Sequence, residues 1–245
     1  MATYNIKGGV GKTSAAVNLA YLAAREGNRT LLWDLDPQGA ASFLFRVRPR
    51  VKGGVKGLVR GRVQMDQPIK GTDFDNLDLL PADFSYRNMD LALDRAKRPV
   101  NRLAQLLRPM ASEYDFVILD CPPSVSLVSE GVLRAADTLL VPLVPTTLAL
   151  RSFEQLIDFV ATAKRPRPRI LAFFSMVDRR KRLHRETIAT VASARCDIAK
   201  AVVPAASVVE QMGPRRLPVG VLAPSSEAAQ AYQSLWAEAR DLPWR

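Results

Sequence analysis

Lys7-Gly8-Gly9-Val10-Gly11-Lys12-Thr13-Ser14 is the stretch that decides the fold. It stands between a short apolar lead, Met1 to Ile6, and an alanine-rich run, Ser14 to Arg25. Strand, glycine turn and helix in that order is the context that separates a phosphate loop from a glycine-rich turn with a chance lysine. Gly8, Gly9 and Gly11 lack Cβ, so the backbone there can turn its N–H groups inward around a polyphosphate. Val10 and Ser14 add their own amides to that nucleotide-binding set. A helix beginning near Thr13 adds its positive N-terminal end. Lys12 is the expected cation for the β- and γ-phosphates, and the Thr13 hydroxyl the expected Mg²⁺ ligand.

Outward from the loop, the chain alternates apolar strands with helical patterns. Arg29 to Asp36 reads as a buried parallel strand that delivers two acids at its carboxyl end, where ligands collect in open α/β sheets. Period-two alternation places Asp34 and Asp36 on one side of that strand before Pro37 breaks it. In Asp115-Phe-Val-Ile-Leu-Asp120, four apolar residues end in an aspartate, the pattern of a strand whose acid meets the metal shell through water. Further strands are expected at 76–82, 137–145 and 170–177. Helical patterns run through Leu91 and Leu93, through Leu103, Leu106 and Leu107, over 147–163, and over 225–240. In that last helix Ala228, Ala231, Tyr232, Leu235 and Ala239 share a core face. The segment from Phe43 to Lys70 is the least legible. Its seven cations, from Arg46 to Arg62, fit either a solvated, partly mobile surface or an anion-facing patch. The prediction is an α/β fold: a doubly wound, mostly parallel sheet flanked by helices, one P-loop domain over residues 1–245.

Lys7 adds a second lysine at the mouth of the loop. With it, the octapeptide resembles the deviant-Walker ATPases of the ParA/MinD family, whose loop reads Lys-Gly-Gly-x-Gly-Lys-Thr. Asp34-Leu-Asp36-Pro-Gln-Gly39 is similar to that family's second motif, and Cys121-Pro-Pro-Ser124 to its switch II, where paired prolines stiffen a loop that senses the γ-phosphate. The resemblance spans nearly the whole chain and is weakest at 44–70. It implies Mg²⁺-dependent ATP binding and slow hydrolysis to ADP, with Lys7, Lys12 and Asp36 as the catalytic set and Thr13, Asp36 and Asp120 around the metal. Lys7 would reach the partner's phosphates across a nucleotide-sandwich homodimer. Asp36 would orient or activate the attacking water, and Asp34 would support the metal and Lys12. Pro204, ending Ala201-Val-Val-Pro204, would frame the adenine. Ala205 stands where the family typically has an arginine.

The 245 residues carry a formal net charge of +11, which concentrates polyanions around the protein whatever its fold. Arg179, Arg180, Lys181, Arg182 and Arg185, with Arg215 and Arg216, are the candidate contacts to a phosphate backbone, against a solvated basic face. The function implied is a ParA-like positioning ATPase. Its ATP dimer would bind DNA without sequence preference, and a separate ParB-like cargo adaptor would stimulate hydrolysis and release it. The expected location is cytoplasmic, and nucleoid-associated in the ATP state. The alternative is a MinD-like membrane regulator. Such a protein needs an amphipathic basic helix after the last core helix, whereas Asp241 to Arg245 contains the helix-breaking Pro243. Nor is a membrane span or a signal peptide expected. Cys121 and Cys196 lack paired spacing, which suits a reducing compartment. A Cys–His amidotransferase site would rest wholly on His184, the single histidine.

Overall fold

The computed structural model describes residues 1–163, 167–195 and 197–242. Its strands are β1 (Ala2–Thr3), β2 (Thr30–Asp34), β3 (Lys70–Gly71), β4 (Leu77–Leu80), β5 (Phe116–Asp120), β6 (Thr138–Leu143), β7 (Arg169–Val177) and β8 (Ile198–Pro204). They form one sheet in the order β3-β4-β2-β5-β1-β6-β7-β8, parallel at every step but the antiparallel β3–β4 edge. Such a sheet is covered on both faces, so its strands are apolar throughout rather than alternating. β2 (Thr-Leu-Leu-Trp-Asp) and β6 (Thr-Leu-Leu-Val-Pro-Leu) are buried at every position.

The helices are α1 (Lys12–Arg25), α2 (Ala40–Leu44), α3 (Gly54–Val59), α4 (Met89–Asp94), α5 (Arg102–Leu107), α6 (Leu127–Ala135), α7 (Thr147–Thr162), α8 (Arg182–Ala194), α9 (Ser207–Glu210), α10 (Met212–Arg215), α11 (Val219–Leu222) and α12 (Glu227–Arg240). Successive strand residues point to opposite faces and so feed two cores. Leu32, Ile118, Leu140 and Phe173 pack with α1, α2 and α12, while Leu31, Trp33, Leu119, Leu139 and Phe174 pack beneath α3 to α7. Each fully buried leucine or phenylalanine contributes on the order of 1.5–3 kcal/mol.

Alanine lets α1 press close to the sheet. Ala15, Ala16, Ala20 and Ala23 are wholly buried along it. Gly27, at φ +91°, ends the helix in the left-handed conformation that favours glycine. Glu26 there accepts from Trp236 Nε1 at 2.8 Å and from an Arg240 guanidinium nitrogen at 2.7 Å, fastening α12 to α1.

Two expectations need correction. β2 stops at Asp34, so Asp36 lies in the loop beyond it and the period-two argument does not govern the pair. Leu35 N–H donates to the Asp120 carbonyl at 2.9 Å, but Pro37 prevents further pairing. The helical pattern through Leu91 and Leu93 does form, as α4, with Leu93 buried and Leu91 63% exposed. Residues 43–70 are not simply a solvated surface: Phe45, Val51, Val55, Leu58, Val59 and Met65 are buried. The final helix also buries Ala229 and Trp236, beyond the expected face, and leaves Ala231 half-buried. Lys164 to Pro166 of the expected basic turn, Cys196, and Pro243 to Arg245 of the tail lie outside the described residues.

Candidate functional site

Register assembles the site. β1 pairs with β5 and β5 with β2, so that Thr3 and Asp34 each stand opposite Asp120. The glycine loop, the acids and the Cys121–Ser124 turn therefore leave the sheet side by side at its carboxyl edge.

The loop is held from both sides. Lys7 N–H donates to Asn5 Oδ1 at 2.9 Å, and Asn5 Nδ2 donates to the Pro142 carbonyl of β6 at 2.8 Å. Val10 is buried and does not line the cleft. Gly9 and Gly11 take φ of +70° and +94°. A Cβ on Gly11 would stand 2.8 Å from Ser175 Oγ, so backbone conformation and space both exclude a side chain there. Lys12 opens α1 and is only 7% exposed. Its Nζ donates to the Lys7 carbonyl at 2.9 Å, and burial pulls its pKa down against the opposing charges of Asp120 and Asp36.

A cleft of about 380 Å³ opens along this loop. Gly8, Gly9 and the first turn of α1 (Lys12, Thr13, Ser14) form one wall, Asp36 and Pro123 another. Ser175, beside Gly11, and Met176, Pro204, Glu210 and Tyr232 complete the lining. Pro204 thus sits in the cleft at the end of β8, together with Ser175, Met176 and Glu210, which the sequence did not single out, and Tyr232, expected only on the core face of the last helix. Met176 holds a left-handed φ of +55°, uncommon for a non-glycine and found where backbone is fixed at functional positions. Its position at the carboxyl end of an apolar strand was the available signal.

The acids divide by environment. Asp120 is fully buried; its Oδ1 accepts from Thr3 Oγ1 at 3.4 Å, the Thr13 hydroxyl lies beside it, and Oδ2 has no partner. Burial, then the Asp34 charge, pushes its pKa up to about 8. Asp34 Oδ2 accepts from Ser42 N–H at 2.8 Å and Ser42 Oγ at 2.7 Å, while Oδ1 has no partner. Burial raises Asp34 to about 6. Asp36 is half-buried and accepts from Gln38 N–H at 2.9 Å. Two buried carboxylates with orphaned oxygens, next to Lys12 and a hydroxyl, fit a divalent cation. Among the described residues no three acidic, cysteine or histidine side chains converge to cage a metal alone. One or two protein ligands completed by phosphate and water is the Mg²⁺ regime.

Lys7 lies elsewhere. Its Nζ donates to the Leu148 carbonyl in the first turn of α7 at 2.7 Å, and it does not line the cleft. In the turn before α6, Tyr4 Oη donates to the Ser124 carbonyl at 2.5 Å. Ser126 and Ser129 close a capping box on that helix.

The basic candidates are exposed but occupied. Arg179 pairs with Glu227 at 2.7 Å, Arg180 with Asp178 at 3.0 Å and Arg182 with Glu186 at 2.6 Å. Arg185 donates to the carbonyls of Arg179 and Arg180, and the exposed Lys181 precedes α8. Arg215 ends α10, and the Arg216 guanidinium lies 4.0 Å over the Phe43 ring. No hydrogen bond or ion pair joins the two clusters among the described residues. His184 is buried and accepts Asp178 N–H at 3.1 Å through Nδ1; Cys121 is buried in the core. Both are structural.

Residues 1–172 match the AAA_31 family model, described as an AAA domain. The chain is 31% identical over 241 residues to the sporulation initiation inhibitor protein Soj of Bacillus subtilis, covering 96% of this chain and 95% of that one. It is 37% identical over 169 residues to the chromosome partitioning protein ParA of Myxococcus xanthus, covering 66% of this chain and 59% of that one. Among solved structures, cobyrinic acid a,c-diamide synthase from Mycobacterium smegmatis, with bound ATP analogue and magnesium, superposes with a TM-score of 0.83. That likeness is at 26% identity over 98% of this chain and 92% of that one.

Proposed function

The chain belongs to the ParA/MinD-type P-loop ATPases, and we propose that it is a partition or positioning ATPase of that family, built as one P-loop domain over residues 1–245. Its ATP-bound form is a sandwich homodimer that binds DNA without sequence preference, and hydrolysis releases it. The observation that carries this reading is Lys7, whose ammonium is bonded to Leu148 rather than turned into its own cleft. A loop-mouth cation placed outside its own site can serve a facing copy, as an arginine finger does.

Within each cleft, the loop amides of Gly8 to Ser14 and Lys12 hold the β- and γ-phosphates, and Pro204 borders the base. Thr13, with Asp36 and Asp120 through water, would hold a Mg²⁺ ion, which when bound would supply charge neutralisation at the phosphates. Asp36 positions the attacking water, and Lys7 of the facing copy stabilises the charge that develops. Loss of the γ-phosphate unties the two copies, so nucleotide state sets the assembly. The net charge of +11 supports DNA as the partner. Surface ion pairs such as Arg180–Asp178 contribute little, so phosphates can replace their acids at small cost. A separate ParB-like adaptor stimulates hydrolysis, and the ATP form resides on the nucleoid within the cytoplasm. The mycobacterial synthase likeness covers 92% of that chain, so length does not set the two apart. The more identical full-length relative is Soj.

Light scattering with Mg²⁺-ATP, followed by a DNA shift across salt, tests the reading. Wild type and Asp36→Ala should dimerise with ATP, the variant persistently; Lys12→Ala should bind no nucleotide; Lys7→Ala should bind ATP but neither dimerise stably nor hydrolyse. With seven phosphate contacts from each copy, about 14 for the dimer, log affinity should fall with log salt at a slope of roughly −13. A protein that stays monomeric in saturating Mg²⁺-ATP, or whose ATP form binds anionic liposomes and not DNA, overturns it.

A further inference from the structure

The corner formed by α3, α4 and α5 carries a concentration of positive charge that the nucleotide cleft does not use. Lys56 of α3, Arg60 capping its end, Arg95 capping α4, and Lys97 and Arg98 just beyond are all exposed. None of these five forms an ion pair among the described residues, unlike Arg179, Arg180 and Arg182. Two nearby acids offset them only in part, five cations to two carboxylates. Asp90 directs one oxygen to Val128 N–H at 3.0 Å, and Asp94 is exposed on α4. The surface is also concave: two adjoining hollows of about 540 and 240 Å³ share Arg60, Ala92 and Arg95. Leu91, 63% exposed, stands at the smaller one, and Ala92 and Ala96 give the floor an apolar strip.

We infer that this groove docks an acidic segment of a partner protein that carries an apolar anchor residue. Unpaired cations around the rim supply charge complementarity, and Leu91 supplies a site where a partner side chain gains by leaving water. A DNA duplex is the weaker match. Phosphate-backbone contacts need cations on an accessible ridge and gain nothing from an exposed leucine or an alanine floor. The inference stands apart from the ATPase reading, since no residue of the groove lines the nucleotide cleft.

Fluorescence anisotropy on the full chain, without nucleotide, provides the test. The probe is a labelled helical peptide of glutamate, alanine and leucine. A leucine-free peptide of equal charge and a labelled DNA duplex serve as comparison probes. The leucine peptide should bind most tightly and weaken with salt. Arg60→Glu with Arg95→Glu should cut its affinity about tenfold or more, since two exposed attractions become repulsions. Leu91→Ala should cut it severalfold while leaving the leucine-free peptide unchanged. Arg180→Glu with Arg182→Glu should not affect it. Unchanged peptide affinity in the Arg60/Arg95 variant overturns the proposal. So does equal binding of the two peptides, which would mean charge attraction alone, or a duplex that outcompetes the leucine peptide and is lost in the same variant. Thermal melting of each variant excludes unfolding as the cause, and Arg98→Glu, exposed and unpaired, provides an independent reversal.

Discussion

Ser42→Ala removes one hydroxyl from a wholly buried junction, and its cost can be worked from the bonds it breaks. Ser42 Oγ donates to Asp34 Oδ2 at 2.7 Å and accepts Ala82 N–H at 2.9 Å, joining the ends of β2 and β4 to α2. A hydrogen bond to a charged group contributes about 1.5–3 kcal/mol, and a buried donor left without a partner costs about 1–3 kcal/mol. Asp34 keeps the Ser42 N–H bond, so the lower part of the summed range applies: about 3 kcal/mol, with little change in packed volume. For a chain of this size that lowers the Tm by roughly 6–12 °C. The pH dependence carries a definite sign. A carboxyl that titrates near 6 in the fold rather than at its ordinary 3.8 takes up its proton in the native state first. Stability from this group therefore falls as pH rises from about 3.8 to 6, and is level above. The hydroxyl opposes that shift, so removing it raises Asp34 further and extends the decline above pH 6. Urea unfolding in chelator from pH 4 to 8 should show a Ser42→Ala deficit that grows with pH. A deficit under about 1 kcal/mol, or one largest at pH 4, refutes the assignment of Ser42 as the partner that keeps Asp34 charged.

Gly11→Ala should abolish measurable ADP binding by calorimetry. Adding Ser175→Ala relieves the 2.8 Å contact but not the backbone cost of about 1–2 kcal/mol, so the double variant should recover affinity only partly. With Asp120 titrating near 8 in the protein alone, Mg²⁺ must displace its proton below that pH. Metal affinity should rise with pH to about 8 and then flatten, with proton release seen as a buffer-dependent heat that Asp120→Asn removes. Burial drives the Cys121 thiol well above its ordinary range. Peptide mapping should find Cys121 unalkylated in the native protein and fully alkylated in denaturant. Glu26→Ala should lower stability by about 1–2 kcal/mol in urea unfolding, because Trp236 Nε1 and Arg240 share its Oε2.

The sheet was legible because parallel strands buried on both faces must be written as apolar runs, and β2, β5, β6 and β7 are. The phosphate loop was legible for a different reason: its glycines, lysine and threonine are contiguous. The rest of the cleft lining was not. Ser175 and Met176 of β7, Glu210 of α9 and Tyr232 of α12 come from three separate places in the chain, and only the packing of those elements brings them together. Asp36 was misplaced by extending the strand period past the last ladder bond. The helical pattern through Leu91 and Leu93 was legible and forms α4, although the pattern did not show that only Leu93 of the two faces the core. Residues 43–70 hid their packing behind cations: Val55, Leu58 and Val59 are buried while Lys56, on the same helix, and Arg60, capping it, remain outside.

Phe43 stands on α2, a few residues past Asp36, and carries Arg216 on its ring; Arg46 reaches the Arg215 carbonyl at 3.3 Å. Arg46 and Arg216 both hold left-handed backbone, at φ +59° and +54°, which an arginine adopts only under restraint. The stretch that follows Asp36 is therefore moored to the C-terminal third at two points, the Phe43 ring and the Arg46 guanidinium. A displacement of Phe43 cannot occur without uncovering the Arg216 guanidinium, so the surface charge at this corner depends on where that stretch lies.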